Sequence, residues 1–187
     1  MKKILLTFAF ITISFFAKSQ EASVEKSTNG VQIGVLGTWF HNESRLTNKL
    51  AIRSEVGFDG GFGWGMFYDG IGYVLAPVFT LEPRLYYNLD KRQSKSKNIV
   101  GNSGNFLSLK TSFHPDWFLI SNYDNSGIVS QLSIVPTWGI LRNLGNHFTY
   151  EAGIGIGYRY LFYKSYGYAE NEGEVAVNLH LRVGYRF

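Results

Sequence analysis

The chain contains no cysteine and only four prolines among its 187 residues. Disulfide staples, thiolate nucleophiles, cysteine-ligated zinc and cysteine-linked lipid anchors are therefore excluded. Charged residues are scarce too, at 17%. Beyond residue 19 no apolar run approaches the roughly 18 residues that a helical membrane span requires. Glycine and aromatic side chains are abundant: 21 Gly, 15 Phe, 12 Tyr and 4 Trp, in a composition that is 45% hydrophobic. That much apolar surface argues against disorder. The length suits one domain with a single core.

Residues 1–19 read as an export signal. Lys2 and Lys3 precede an uncharged, largely apolar run over 4–17, and Ala17 and Ser19 supply the small residues for cleavage before Gln20. The run is shorter than the roughly 20 residues of a spanning helix, which favours cleavage over anchoring. Loss of Lys2, Lys3 and Lys18 turns a formal charge of +4 into 15 basic against 14 acidic residues, or +1. A nucleic-acid partner has no electrostatic footprint on such a chain.

From residue 31 onward the dominant period is two. Val175, Val177, Leu179, Leu181, Val183, Tyr185 and Phe187 share one face, while Glu174, Asn178, His180, Arg182 and Arg186 share the other. A helix would scatter those apolar residues around its circumference, so the segment reads as a strand. Segment 148–162 repeats the pattern, with Phe148, Tyr150, Ile154, Ile156, Tyr158 and Tyr160 opposed to Glu151, Gly153, Gly155, Gly157 and Arg159. Five further segments alternate less regularly, over 31–41, 49–59, 72–89, 104–113 and 128–141. Turn-rich stretches such as 42–44, 68–70, 122–127 and 142–146 separate them. The pattern predicts an all-β chain with hairpin connections.

Alternation alone does not say which face is buried. Strands of about 10 to 18 residues exceed the roughly 5 to 6 usual in soluble proteins. Aromatics collect toward strand ends, at Trp39 and Phe40, Trp64 and Phe67, Tyr86 and Tyr87, Trp117 and Phe118, Trp138, and within 158–168, as interfacial girdles do. The polar face mixes opposite charges with glycine, as at Arg53 and Glu55, Glu82 and Arg84, and Glu151 and Arg159. These features favour an antiparallel up-and-down transmembrane β-barrel over a secreted soluble lipocalin-like barrel.

With its signal segment, its alternating strands over 31–187 and its closing Val183-Gly184-Tyr185-Arg186-Phe187, the chain resembles the small OmpA-type outer-membrane barrels of Gram-negative bacteria. The resemblance implies an outer-membrane location, lipid around the barrel, a monomer, and delivery by the barrel-assembly machinery. Val183, Tyr185 and Phe187 would form the assembly signal. It is nearly silent about activity, because one barrel serves many roles. The implied organisation is a signal over 1–19, a short segment over 20–30 and the barrel over 31–187. Such barrels have an even number of strands. Seven are readable and eight are expected, the eighth being either a short irregular strand in 20–30 or half of a long segment such as 72–89. With Phe187 on the periplasmic side, the basic stretch 91–97 falls in an unusually long periplasmic turn.

Arg53, Glu55, Glu82, Arg84, Lys110, Glu151, Arg159, His180 and Arg182 are expected inside as a structural ion network, since an unpaired buried charge is costly. A narrow pore for small solutes is the alternative. His114 with Asp116 or Asp124 is the candidate for a rim-sited hydrolase, although no nucleophile stands at a fixed spacing from them. His41, His114, His147 and His180 are isolated, and no glycine loop opens a helix, so neither metal nor cofactor is expected. Over 163–174, Tyr163, Tyr166 and Tyr168 beside Glu170, Glu172 and Glu174 suit a recognition surface. The expected role is structural or surface-interacting, without catalysis.

Overall fold

The computed structural model describes residues 22–63, 72–122 and 127–187. The export segment, Trp64, Phe67, Tyr68 and Asp124 lie outside the described residues. Nine strands are present among them: β1 (Ser27–Gly34), β2 (Gly37–Arg45), β3 (Leu50–Gly63), β4 (Gly72–Tyr86), β5 (Asn105–His114), β6 (Ile120–Ser121), β7 (Gln131–Leu144), β8 (Phe148–Leu161) and β9 (Glu172–Arg186). All pairings are antiparallel. The chain meanders from β1 to β5 and from β7 to β9, β5 pairs with β7, and β9 pairs back onto β1. Eight strands thus close into a ring. Two-residue β6 extends the edge of β4 at Val74 and Leu75, beyond the point where β5 stops. Pro115 follows the last residue of β5, and a residue with no N–H cannot continue a ladder.

The eighth strand, expected either in 20–30 or as half of 72–89, draws partly on the first of these. Segment 31–41, expected as one strand, is a hairpin in which Gly34 faces Gly37 across Val35 and Leu36. Apolar residues at the tip hide the turn from a reading based on Asn, Asp and Pro. Its marker is Gly37, which has φ +140°, and where a Cβ would clash with the carbonyl oxygen of Phe58. The ring starts at Ser27 and takes in part of the polar stretch 20–30. Outward Ser27 and Asn29 are both bonded by the side-chain amide of Asn42, at 2.9 and 2.8 Å. Segment 72–89 remains one strand, ending at Tyr86.

The two faces of the ring are opposite in chemistry. Gln32, Glu43, Arg53, Glu55, Glu82, Arg84, Glu151 and Arg182 point inward and are buried, whereas Val56, Leu81, Ile156, Val177 and Leu179 point outward, Leu179 being 72% exposed. Soluble proteins arrange these residue types the other way round. Two aromatics expected in an outer girdle, Trp39 and Tyr86, are instead buried, because both fall on the inward face of their strands.

One end of the ring is plugged. Ala22 and Val24 enter it and pack with Ala51, Tyr86, Leu89, Phe106 and Leu141. Gly139 makes room for Phe106, since a Cβ there would run into the ring. The long basic connection between β4 and β5 has a structural reason. It carries helix α1 (Leu89–Gln93) and a short 3₁₀ turn (Val100–Asn102), which bring Leu89 and Asn102 into the ring and leave Lys91, Lys95 and Lys97 exposed. The N-terminal segment is fastened to it by Glu25 N–H on Asn102 Oδ1 at 2.7 Å and Ala22 N–H on Asp90 Oδ1 at 3.2 Å.

Gly37 and Gly145 both have positive φ, but a Cβ at Gly145 meets nothing within 4 Å. Gly145→Ala should therefore cost about 1 kcal/mol from backbone strain alone. Gly37→Ala should lower the urea unfolding midpoint clearly further, because it adds a backbone clash. Equal midpoints for the two variants would contradict this account of the hairpin.

Candidate functional site

The interior charges are assembled by strand register. Glu43 lies opposite Arg53 across β2 and β3, Arg53 opposite Glu82 across β3 and β4, and Glu151 opposite Arg182 across β8 and β9. Opposite signs directly across a ladder attract. Glu151, with 0% exposure, is the hub. Its carboxylate accepts from Arg84 Nη2 at 2.7 Å, Arg84 Nη1 at 3.0 Å, Gln32 Nε2 at 3.2 Å and Arg53 Nη1 at 3.3 Å. Around it, Arg53 donates to Glu55 at 2.5 Å, Arg84 to Glu82 at 2.7 Å, and Arg182 to Glu55 at 2.9 Å. Arg53 also donates to Gln32 Oε1 at 2.6 Å, and Ser108 Oγ to Glu82 at 2.5 Å. Arg84 and Arg182 lie over the rings of Phe106 and Trp39, at 4.2 and 3.8 Å from the centroids, which adds a cation–π attraction to each.

Of the nine charged residues expected together, Arg53, Glu55, Glu82, Arg84, Glu151 and Arg182 form this network. His180 sits at its margin, with Nε2 3.2 Å from Glu151. Lys110 projects from β5 on the same face as Ser108, but among the described residues no carboxylate lies within 4 Å of its amine. Arg159 belongs elsewhere: it pairs with Glu174 at 2.5 Å near the other end, where both side chains are about 40% exposed. Sequence reasoning missed Gln32, Glu43, Ser108 and Asn102. Glu43 falls in a turn on the sequence pattern alone, and placing the hairpin correctly puts it on the face of Trp39 and His41. Asn102, at φ +61°, donates to Glu43 at 2.5 Å and so ties the plug to the network. Nothing in its local sequence marks it.

Beyond the network, away from the plug, lies a cavity of about 850 Å³. Trp39, Asp59, Lys110, His114, Asn178 and Arg182 are among its polar lining, and Val35, Leu36, Leu119 and Ile128 reach it from the rim. Asp59 accepts from Trp39 Nε1 at 2.7 Å and contacts His114 Nε2 at 2.9 Å. The partner of His114 among the described residues is thus Asp59 on β3 and not the expected Asp116, while Asp124 lies outside them. Asp116 is exposed, and hydrogen bonds from Tyr166 and Ser130 hold its carboxyl below the ordinary value. Among the described residues no hydroxyl reaches the free Nδ1 of His114; the hydroxyl of Ser112, on the same strand, is engaged with Thr80 at 2.8 Å.

At the rim the connection from β8 to β9 is folded on itself. Tyr163 and Tyr168 meet edge to face at 5.3 Å, and Lys164 N–H bonds Asn171 Oδ1 at 2.9 Å. At the plugged end Val183, Tyr185 and Phe187 face outward. Tyr185 packs against Phe148 and Phe187, and the Phe187 amide bonds the carbonyl of Asn29 at 3.0 Å. In comparisons with known proteins the chain matches no family model, no curated protein and no solved structure.

Glu151→Gln would leave Arg84 and Arg53 facing a neutral amide. A loss of about 3 to 5 kcal/mol follows, measurable as a lower unfolding midpoint. Arg159→Met, which breaks only a half-exposed pair, should change it by less than about 1 kcal/mol. Comparable losses from the two variants would contradict a network centred on Glu151.

Proposed function

We propose that this chain is an outer-membrane β-barrel with a structural or surface-interacting role, monomeric, surrounded by lipid and without catalytic activity. The observation that carries the reading is the inverted ring: buried charges inside, exposed apolar side chains outside. On β8 the outward aromatics Phe148 and Tyr158 are ten positions apart, about 34 Å of strand. A tilt of about 45° reduces that to about 24 Å, the height of the apolar band of outer-membrane barrels. Trp138 and Tyr87, hydrogen-bonded at 2.9 Å on the outside, suit the aromatic girdle at one edge of that band. The outward Val183, Tyr185 and Phe187 leave the terminal strand readable by an assembly machinery.

Two features weigh against a conducting pore. The ion network fills the middle of the ring, and the apolar plug closes one end. A soluble lipocalin-like barrel would need an apolar interior, and the interior here holds the charges. For surface contact the strongest feature is the folded rim connection, with Tyr168 exposed beside Glu170.

In fractionated cells the protein should be found in the outer membrane and migrate faster on a detergent gel unboiled than boiled, with no steady conductance in a planar bilayer. Leu179→Arg, at the centre of β9, should reduce folding into lipid by about 2 to 4 kcal/mol. A soluble band without a heat shift, or a Leu179→Arg variant that folds as well as the parent, would sink the reading.

A further inference from the structure

The cavity beyond the network has a directional charge pattern. Its described lining contains Lys110, Arg159 and Arg182 but a single carboxylate, Asp59, and that carboxylate is already occupied by Trp39 and His114. Glu43, Glu55, Glu82 and Glu151 lie behind the arginines and do not line it. Arg182 and Arg159 have their own partners, Glu55 and Glu174. Lys110 alone is left with three donors and no carboxylate within contact among the described residues. The buried Nε–H of Arg182 is likewise without a hydrogen-bond partner. Donors left unmade next to a cavity carry a desolvation cost that an acceptor would remove. Its apolar lining, Val35, Leu36, Val74, Ile128, Val135 and Ala176, is interspersed with Ser112, Gln131 and Ser133.

We propose that this cavity binds a small organic carboxylate, its head on Lys110 and its apolar body against those apolar side chains. A charge-assisted hydrogen bond in a partly dry site holds the head. The volume falls in the range of small-molecule sites. The inference concerns the inside of the ring, while its test in lipid rests on the outer-membrane reading, whose own failure would show as the absence of a heat shift in the parent.

The test is calorimetric titration of the folded protein, in discs of zwitterionic lipid, with octanoate against empty discs, and with 1-octanol as the uncharged comparison. Octanoate should bind saturably at one site. Lys110→Met should weaken it about tenfold or more, Lys110→Arg should retain it, and Ala176→Trp should abolish it by filling the cavity. The heat shift on the gel reports folding of each variant separately. No saturable binding by the parent, octanol binding as tightly as octanoate, or a folded Lys110→Met variant with unchanged affinity would overturn the proposal. If Lys110→Met does not fold, unchanged binding by Ala176→Trp would overturn it instead.

Discussion

Everything in the interior follows from one constraint: a guanidinium removed from water must be surrounded by acceptors. Arg53 and Arg84 are almost fully buried, and the cost of dehydrating each amounts to several kcal/mol unless carboxylates and amides take up its donors. The ring meets that requirement with Glu43, Glu55, Glu82, Glu151 and the side chain of Gln32. Alternating signs across adjacent ladders spread the charges around the wall, so each cation touches more than one acceptor. The narrow interior of an eight-stranded ring, just wide enough to be filled by side chains, brings opposite walls within reach of one another. Arg84 on β4 can therefore contact Glu151 on β8.

Along its axis the ring is layered. An apolar plug of Tyr86, Phe106, Leu89 and Val24 lies at one end, the ion network in the middle, and the cavity beyond. Arg84 lies over the Phe106 ring at the boundary between plug and network, and Arg182 over Trp39 at the boundary between network and cavity. Each aromatic face offers a cation a favourable neighbour where its carboxylates end. Glycine sets the local bore. A Cβ at Gly153 would lie 2.5 Å from the ring of His180, so a larger residue would push that imidazole away from Glu151.

How much of this was legible in the sequence depends on the period. β8 and β9 alternate without a break, and their faces were readable residue by residue. So was the charged face of β3 and β4. The hairpin at Val35 and Leu36 was not, because its tip continues the apolar pattern and its turn depends on the backbone of Gly37. That one miss hid β1, misplaced Glu43 and left the strand count at seven. Trp39 and Tyr86 were misread for a related reason: an aromatic near a strand end can stack inward on an arginine or fill a plug as readily as it can face outward, and composition does not distinguish the two. The plug itself joins residues 22–24, 51, 86, 89, 106 and 141 across the chain, with no shared periodicity to announce it.

The network also bears on how the ring closes. Apart from β9 on β1, the ring is built from short-range antiparallel pairs, the cheaper kind to form because little chain entropy is lost in bringing the strands together. The closing pair joins the two ends of the chain and is brief, five residue pairs from Gly30 to Gly34, against fourteen between β8 and β9. Side chains add to the backbone hydrogen bonds of the seam: Arg182 of β9 donates to Gln32 of β1 at 3.3 Å, and Gln32 in turn donates to Glu151 of β8 at 3.2 Å. Before closure these charges would face an open, wet groove. Afterwards water is excluded, and each contact strengthens as the surrounding dielectric falls. Closure and charge pairing therefore reinforce one another, and the longest-range step in the topology is stabilised by the groups that would be most costly to bury without it.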